Sequence, residues 1–301
     1  MIYIIITGIL WALDGVFRAH LTVNLNSINI VLYEHLVGVI ILLELALIFK
    51  KQFKIQKIDS SKDYLIIILL AIISGFLGTY FFTESFALSA STGDFITPVL
   101  LQKLQPIFVL ILSIIFLKEK LTKNHYISIF FTIIGSYLLI VGWNTFNIDA
   151  LSSLKMTVYA ILAALFWGMG TIISKKLLKK YNHFSVTTYR FVATVLVALP
   201  ISLITTQNLQ INKLTPIIIN NISLIAISSG MVAILLYYNG LKQVKAFKSS
   251  IYELSYPITA FIIGLTSLNP YGDAQIFELD KFIGALIIIG TMIYLSRTNK
   301  E

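Results

Sequence analysis

The chain has 301 residues, is 57% hydrophobic and 12% charged, and carries a formal net charge of +9 without a single cysteine. That balance excludes an ordinary soluble domain. The missing cysteines exclude disulfides, thiolate metal sites, thiol nucleophiles and iron–sulfur ligation.

A membrane-crossing helix needs roughly 17–25 mostly apolar residues. Taken in chain order, such segments run at about 2–20, 28–49, 64–84, 95–117, 126–143, 156–174, 186–206, 217–239, 249–268 and 282–296. They are too long and too continuously apolar for barrel strands, which alternate over about ten residues. The first lacks the basic start and small-residue cleavage pattern of a signal peptide, so it reads as retained. The fold class expected is an all-α polytopic membrane protein of ten transmembrane helices with short connections.

The ten fall into two copies. Trp11 and Tyr33 stand 22 residues apart, as do Trp167 and Tyr189, at an offset of 156. Ser74-Gly75 matches Ser229-Gly230, and Gly135 matches Gly290, at an offset of 155. The copies span 1–147 and 156–297. Five helices is an odd number, so the second copy is expected to be inverted relative to the first. Inverted repeats around a site near the bilayer midplane are the architecture of alternating-access transporters.

Orientation follows from the 23 Lys and Arg residues. With the N-terminus in the cytoplasm, inside loops and the tail hold 17: five from Lys50 to Lys62, three from Lys118 to Lys123, four from Lys175 to Lys180, three from Lys242 to Lys248, then Arg297 and Lys300. Outside loops hold four, namely Arg18, Lys155, Lys213 and Lys281, while Lys103 and Arg190 lie within helices. The asymmetry predicts both termini in the cytoplasm and a place in the cytoplasmic (inner) membrane. It also accounts for the positive net charge without a nucleic-acid partner.

No P-loop or Gly-x-Ser-x-Gly elbow is present, and His20, His35, His125 and His183 show no metal-ligand spacing. No cofactor, metal or catalytic residue is expected. A polytopic membrane enzyme acting on lipid-linked substrates is the alternative class, and it would need clustered acids, histidines or a metal site at one membrane face.

The motifs carry a resemblance. Phe86-Ala87-Leu88-Ser89-Ala90-Ser91, Leu101-Gln102-Lys103-Leu104-Gln105-Pro106 and Phe116-Leu117-Lys118-Glu119 in the first copy fit one pattern, as do Tyr238-Asn239-Gly240-Leu241, Glu253-Leu254-Ser255-Tyr256-Pro257 and Ile283-Gly284-Ala285 in the second. In this order the chain resembles the drug/metabolite transporter superfamily, in particular its ten-helix branch built from two EamA domains. The resemblance implies transport of a small molecule across the lipid bilayer. It leaves open amino acids, amines, nucleosides, adenosyl compounds and drugs.

Ionisable groups at membrane depth cost about 2.5–3.5 kcal/mol each and mark functional sites. Lys103, three residues before Pro106, and Glu253, four before Pro257, occupy corresponding helices. Proline breaks the backbone ladder there and opens polar groups to a cavity. Lys103 is expected to take a substrate carboxylate and Glu253 an ammonium, which favours an amino acid or related amine; mutual pairing is the alternative. Trp11, Trp167, Tyr80, Tyr238, Tyr252 and Tyr256 are candidate aromatic walls. Asp14, Glu34, His35 and Arg190 form a second set for coupling or gating. Glu34 aligns with Arg190, predicting an ion pair across the repeat axis, and a buried carboxylate can carry a proton, making a proton or other ion the coupling partner. Gly75, Gly78 and Gly230 read as packing positions. A monomer is expected, since ten helices complete a pathway within one chain.

Overall fold

The structure is a computed structural model that describes residues 1–92, 98, 101–140, 142–143, 154–206, 208–269 and 277–297; the side chains of 89–92, 103, 139, 140 and 296 also lie outside that description. Every regular element among the described residues is helical. The order is α1 (Ile2–Asn24), α2 (Ser27–Ile48), α3 (Ser61–Leu70), a π-helical stretch (Ala71–Gly78), α4 (Thr79–Thr92), a 3-10 turn (Gln102–Leu104), α5 (Gln105–Leu117) and α6 (Lys123–Ile140). Then follow α7 (Leu154–Leu177), α8 (His183–Thr205), α9 (Pro216–Ile225), a second π-helical stretch (Ala226–Val232), α10 (Ala233–Gln243), α11 (Ala246–Tyr252), α12 (Ser255–Gly264) and α13 (Leu279–Arg297).

Polar residues start the helices where the apolar runs begin. Ser60 Oγ accepts from the Lys62 amide ahead of α3, and Asn182 Oδ1 accepts from the Ser185 amide at 2.7 Å ahead of α8. Thr215 caps α9, with Pro216 at the first helical position, where no donor is needed. Among the described residues, six helices are long and apolar enough to cross a membrane: Ile2–Asn24, Ser27–Ile48, Ser61–Leu88, Leu154–Leu177, His183–Thr205 and Pro216–Gln243. The chain is thus an all-helical polytopic integral membrane protein.

Two departures from simple spanning rods matter. The helices at 61–92 and 216–243 each contain a π-helical stretch, and the two stretches begin 155 residues apart, at Ala71 and Ala226. The apolar segment expected over 249–268 is two helices, separated at Glu253-Leu254. Its partner in the first copy contains the 3-10 turn Gln102–Leu104 directly before α5.

Packing exchanges the two copies. α1 packs on α10 and α12, while α7 packs on α4 and α5; α2 lies against α8, and α6 against α13. In lipid no hydrophobic force drives helices together, so close approach depends on small residues. A Cβ added at Gly170 would come within 2.3 Å of Ser74, and one at Gly75 within 2.0 Å of Thr194 Oγ1. α7 and α8 therefore lie almost backbone to backbone against the first π-helical stretch. Gly78 serves packing as expected, facing the Trp167 ring.

Candidate functional site

Where these elements meet they enclose a cavity of about 780 Å³, its open mouth included. Its wall draws side chains from both copies: Trp11, Asp14 and Arg18 from α1, Glu34 and His35 from α2, Phe82 from α4, Trp167 and Ser174 from α7, Arg190 from α8, and Tyr237 and Tyr238 from α10. Gln102, Gln105 and Tyr256 approach from the two broken helices.

The π-helical stretches position the site. The wider turn shifts the backbone bonding from its regular spacing, and two carbonyls within these stretches accept from side chains of the opposite copy. Trp11 Nε1 donates to the Ser229 carbonyl at 3.0 Å, and Arg190 Nη2 donates to the Ser74 carbonyl at 3.3 Å. The two acceptors, Ser74 and Ser229, are equivalent in the repeat, and the bonds to them fix one ring and one cation in the wall.

Arg18 organises a buried ionic cluster. It holds the Asp14 carboxylate through two bonds, Nε to Oδ2 and Nη2 to Oδ1, the second at 2.9 Å. Its Nη2 also reaches Glu34 Oε2 at 2.8 Å, and Nη1 donates to Thr83 Oγ1 at 3.0 Å. Ser229 Oγ donates to Asp14 Oδ1. One guanidinium thus joins α1, α2 and α4, and the Ser229 hydroxyl joins the second copy to them. A fork of five donors suits this task, which a lysine could not perform.

Two expectations are corrected here. Arg18 does not belong to an outside loop: it lies within α1, 3% exposed, because Asp14 one turn earlier supplies its counter-charge. Three basic residues then remain in the loops assigned to the outside. Nor does Glu34 pair with Arg190, since Arg18 occupies its carboxylate. Arg190 instead donates from Nη1 to the Tyr238 hydroxyl at 2.9 Å, with its guanidinium 5.9 Å from the Tyr238 ring centre.

Of the other sequence candidates, Trp11, Asp14, Glu34, His35, Trp167, Arg190, Tyr238 and Tyr256 reach the wall. His35 Nδ1 lies 2.9 Å from the Val31 carbonyl and its ring packs 4.8 Å from Phe191, so Nδ1 is the donor. Tyr80 stacks on Phe76 away from the cavity, and Tyr252 is buried beyond it. Glu253 sits behind the wall, its Oε2 accepting from Gln105 Nε2 at 2.9 Å. That bond joins the breaks of the two discontinuous helices. Lys103 falls in the 3-10 turn, its side chain outside the described residues. Sequence reasoning missed Arg18, Phe82, Gln102, Gln105 and Tyr237 as wall residues. The signal for Arg18 was available, because Asp14 and Arg18 stand four apart on an apolar helix.

Comparison with known proteins agrees with this architecture. The model of the EamA-like transporter family matches the chain twice, over residues 1–141 and 154–297. The riboflavin transporter ImpX of Fusobacterium nucleatum is 27% identical over 96% of this chain and 95% of its own length. An uncharacterized transporter of Bacillus subtilis, YyaM, is 24% identical over 72% of this chain and 70% of its own. A solved crystal structure superposes with a TM-score of 0.72 across 99% of this chain and 98% of that one, at 13% identity. The chain belongs to the EamA-like transporter family.

Proposed function

We propose that the protein is a secondary active transporter that moves a small polar metabolite across the cytoplasmic membrane by alternating access. The observation that carries this reading is the cavity itself: it lies within an apolar helical bundle yet is walled by Asp14, Arg18, Glu34 and Arg190 from both copies. Ionisable side chains at membrane depth mark substrate and ion pathways. The reciprocal packing of α1 and α7, the paired π-helical stretches and the paired breaks support ten spans in two inverted five-helix repeats. The repeats would run over 1–147 and 156–297, with both termini cytoplasmic. Discontinuous helices meeting at a shared site are how such repeats expose backbone to a substrate. Its named relatives are transporters, in keeping with a non-enzymatic role, and one chain forms the whole pathway as a monomer. Asp14 and Glu34 are the carboxylates placed to couple a proton.

A second reading concerns the substrate. Trp11, Phe82, Trp167 and Tyr237 supply ring faces, and Gln102 and Gln105 supply amide groups. That combination favours a planar heterocycle such as the riboflavin in the name of one relative.

Counterflow in proteoliposomes tests the proposal. Vesicles loaded with an unlabelled compound are diluted into the same labelled compound, drawn in turn from amino acids, amines, nucleosides and riboflavin. Transient accumulation of one label above equilibrium, absent from protein-free vesicles, is the expected result. No accumulation across the panel at any imposed pH gradient would remove the reading.

A further inference from the structure

Equivalent positions in the two halves of the cavity carry unequal charge. At the offset of 156, Asp14 matches Gly170, Arg18 matches Ser174 and Glu34 matches Arg190; at 155, Thr83 matches Tyr238. The hydrogen bonds repeat with the residues. Arg18 Nη1 donates to Thr83 Oγ1 at 3.0 Å, and in the other copy Ser174 Oγ donates to the Tyr238 hydroxyl at 2.8 Å. The charge does not repeat. Among the described residues, the first copy has two carboxylates, Asp14 and Glu34, around the single cation Arg18, a surplus of one negative charge. In the second copy both carboxylate positions are lost, one to Gly170 and one to Arg190 itself.

Arg190 is therefore a cation without a counter-ion in its own half. It is 5% exposed. Among the described residues its hydrogen-bond partners are the Tyr238 hydroxyl and the Ser74 carbonyl, both neutral, and no carboxylate oxygen lies within 4.0 Å. Its Nε is buried and meets no acceptor. A guanidinium has five donors, and a buried one in this state is costly until an anion supplies the missing acceptors.

Among the described residues, the four charges on the wall nevertheless sum to zero, two guanidiniums against two carboxylates. A plain anion or a plain cation entering would leave a low-dielectric cavity with a net charge, whereas a ligand carrying both would not. We infer that the cavity takes a zwitterionic ligand, its carboxylate on Arg190 and its cationic group on the surplus negative charge of Asp14 and Glu34. Trp11 stands with its indole N–H held by the Ser229 carbonyl and its ring 5.3 Å from Tyr237, so its face serves the cationic end. The inference rests on the transport reading of the same cavity.

The test is thermal unfolding of the detergent-purified full chain with the standard amino acids, one at a time, and with riboflavin. A ligand that binds only the folded state raises the unfolding temperature with its concentration. At least one amino acid is expected to stabilise. Its methyl ester, which lacks the anion, and its N-acetyl derivative, which lacks the cation, should each bind at least about tenfold more weakly, as loss of a charge-assisted contact implies. Arg190→Gln should weaken the parent amino acid by a similar factor, and Arg190→Lys less. An N-acetyl derivative binding as tightly as its parent, an amino-acid response unchanged in Arg190→Gln, or stabilisation by riboflavin alone would each overturn the inference. The ester and acetyl arms use the unaltered chain, so they decide the matter even if Arg190→Gln does not survive extraction. Counterflow separates the two claims. A zwitterion that stabilises without exchanging defeats transport and leaves the site standing; riboflavin exchanging while no amino acid stabilises does the reverse.

Discussion

At the scale of single residues, Arg18 has the most to explain, because it satisfies two buried carboxylates. Arg18→Gln keeps a donor but leaves Asp14 and Glu34 buried around a neutral amide. Breaking a buried ion pair from one side costs about 3–5 kcal/mol, so the variant is expected to unfold at a clearly lower temperature in detergent, read by the loss of its monodisperse chromatographic peak. Asp14→Asn should be milder, since Glu34 still neutralises Arg18. An Arg18→Gln protein as heat-stable as the parent would show that the cluster holds nothing together. The sequence disclosed this site unevenly. Trp11, Trp167, Glu34 and Arg190 were legible because the repeat aligns them. Arg18 was not, because charges near a helix end are assigned to loops by position, and only the turn-spaced Asp14 reveals that it stays inside.

At the scale of elements, proline marked the discontinuous helices in advance: Pro106 and Pro257 follow the breaks at Gln102–Leu104 and Glu253-Leu254. The π-helical stretches had no comparable signal. One extra residue in a turn leaves composition and hydropathy unchanged, and only the backbone bonds record it. The short helix α11 raises a separate point. The Glu119 carboxylate, beyond the end of α5, accepts from the Ala246 amide at 2.8 Å and the Phe247 amide at 3.4 Å. It thereby caps a helix 127 residues further along the chain, at the end where anions are favoured. Lys118, with φ of 55°, turns the chain to deliver it. Glu119→Ala is expected to lower stability by about 0.5–2 kcal/mol, the usual worth of a lost cap. Glu119→Gln should recover part of it, since the amide oxygen still accepts. Melting curves of the two variants side by side check this, and equal losses would mean the carboxylate acts elsewhere.

For the whole molecule the open question is which way the bundle faces. The chain lacks cysteine, so single substitutions report position without background. Lys51→Cys and Lys213→Cys replace exposed lysines on connections assigned to opposite sides. On intact cells a membrane-impermeant maleimide is expected to label Lys213→Cys, and Lys51→Cys only after lysis; the reverse pattern would turn the protein over. The helical membrane class was legible from composition alone. The unequal ionic content of the cavity's halves emerged only when equivalent positions could be compared in space. One feature reaches beyond the substrate path. The carbonyl of Ser229 in one copy accepts from Trp11 of the other, and the carbonyl of Ser74 from Arg190 in return. In hydrocarbon, polar groups depend on partners within the protein. Each half is therefore the other's solvent at these points, and a lone half has reason to seek a second copy before it can be whole, which gives a duplicated gene a physical motive for staying fused.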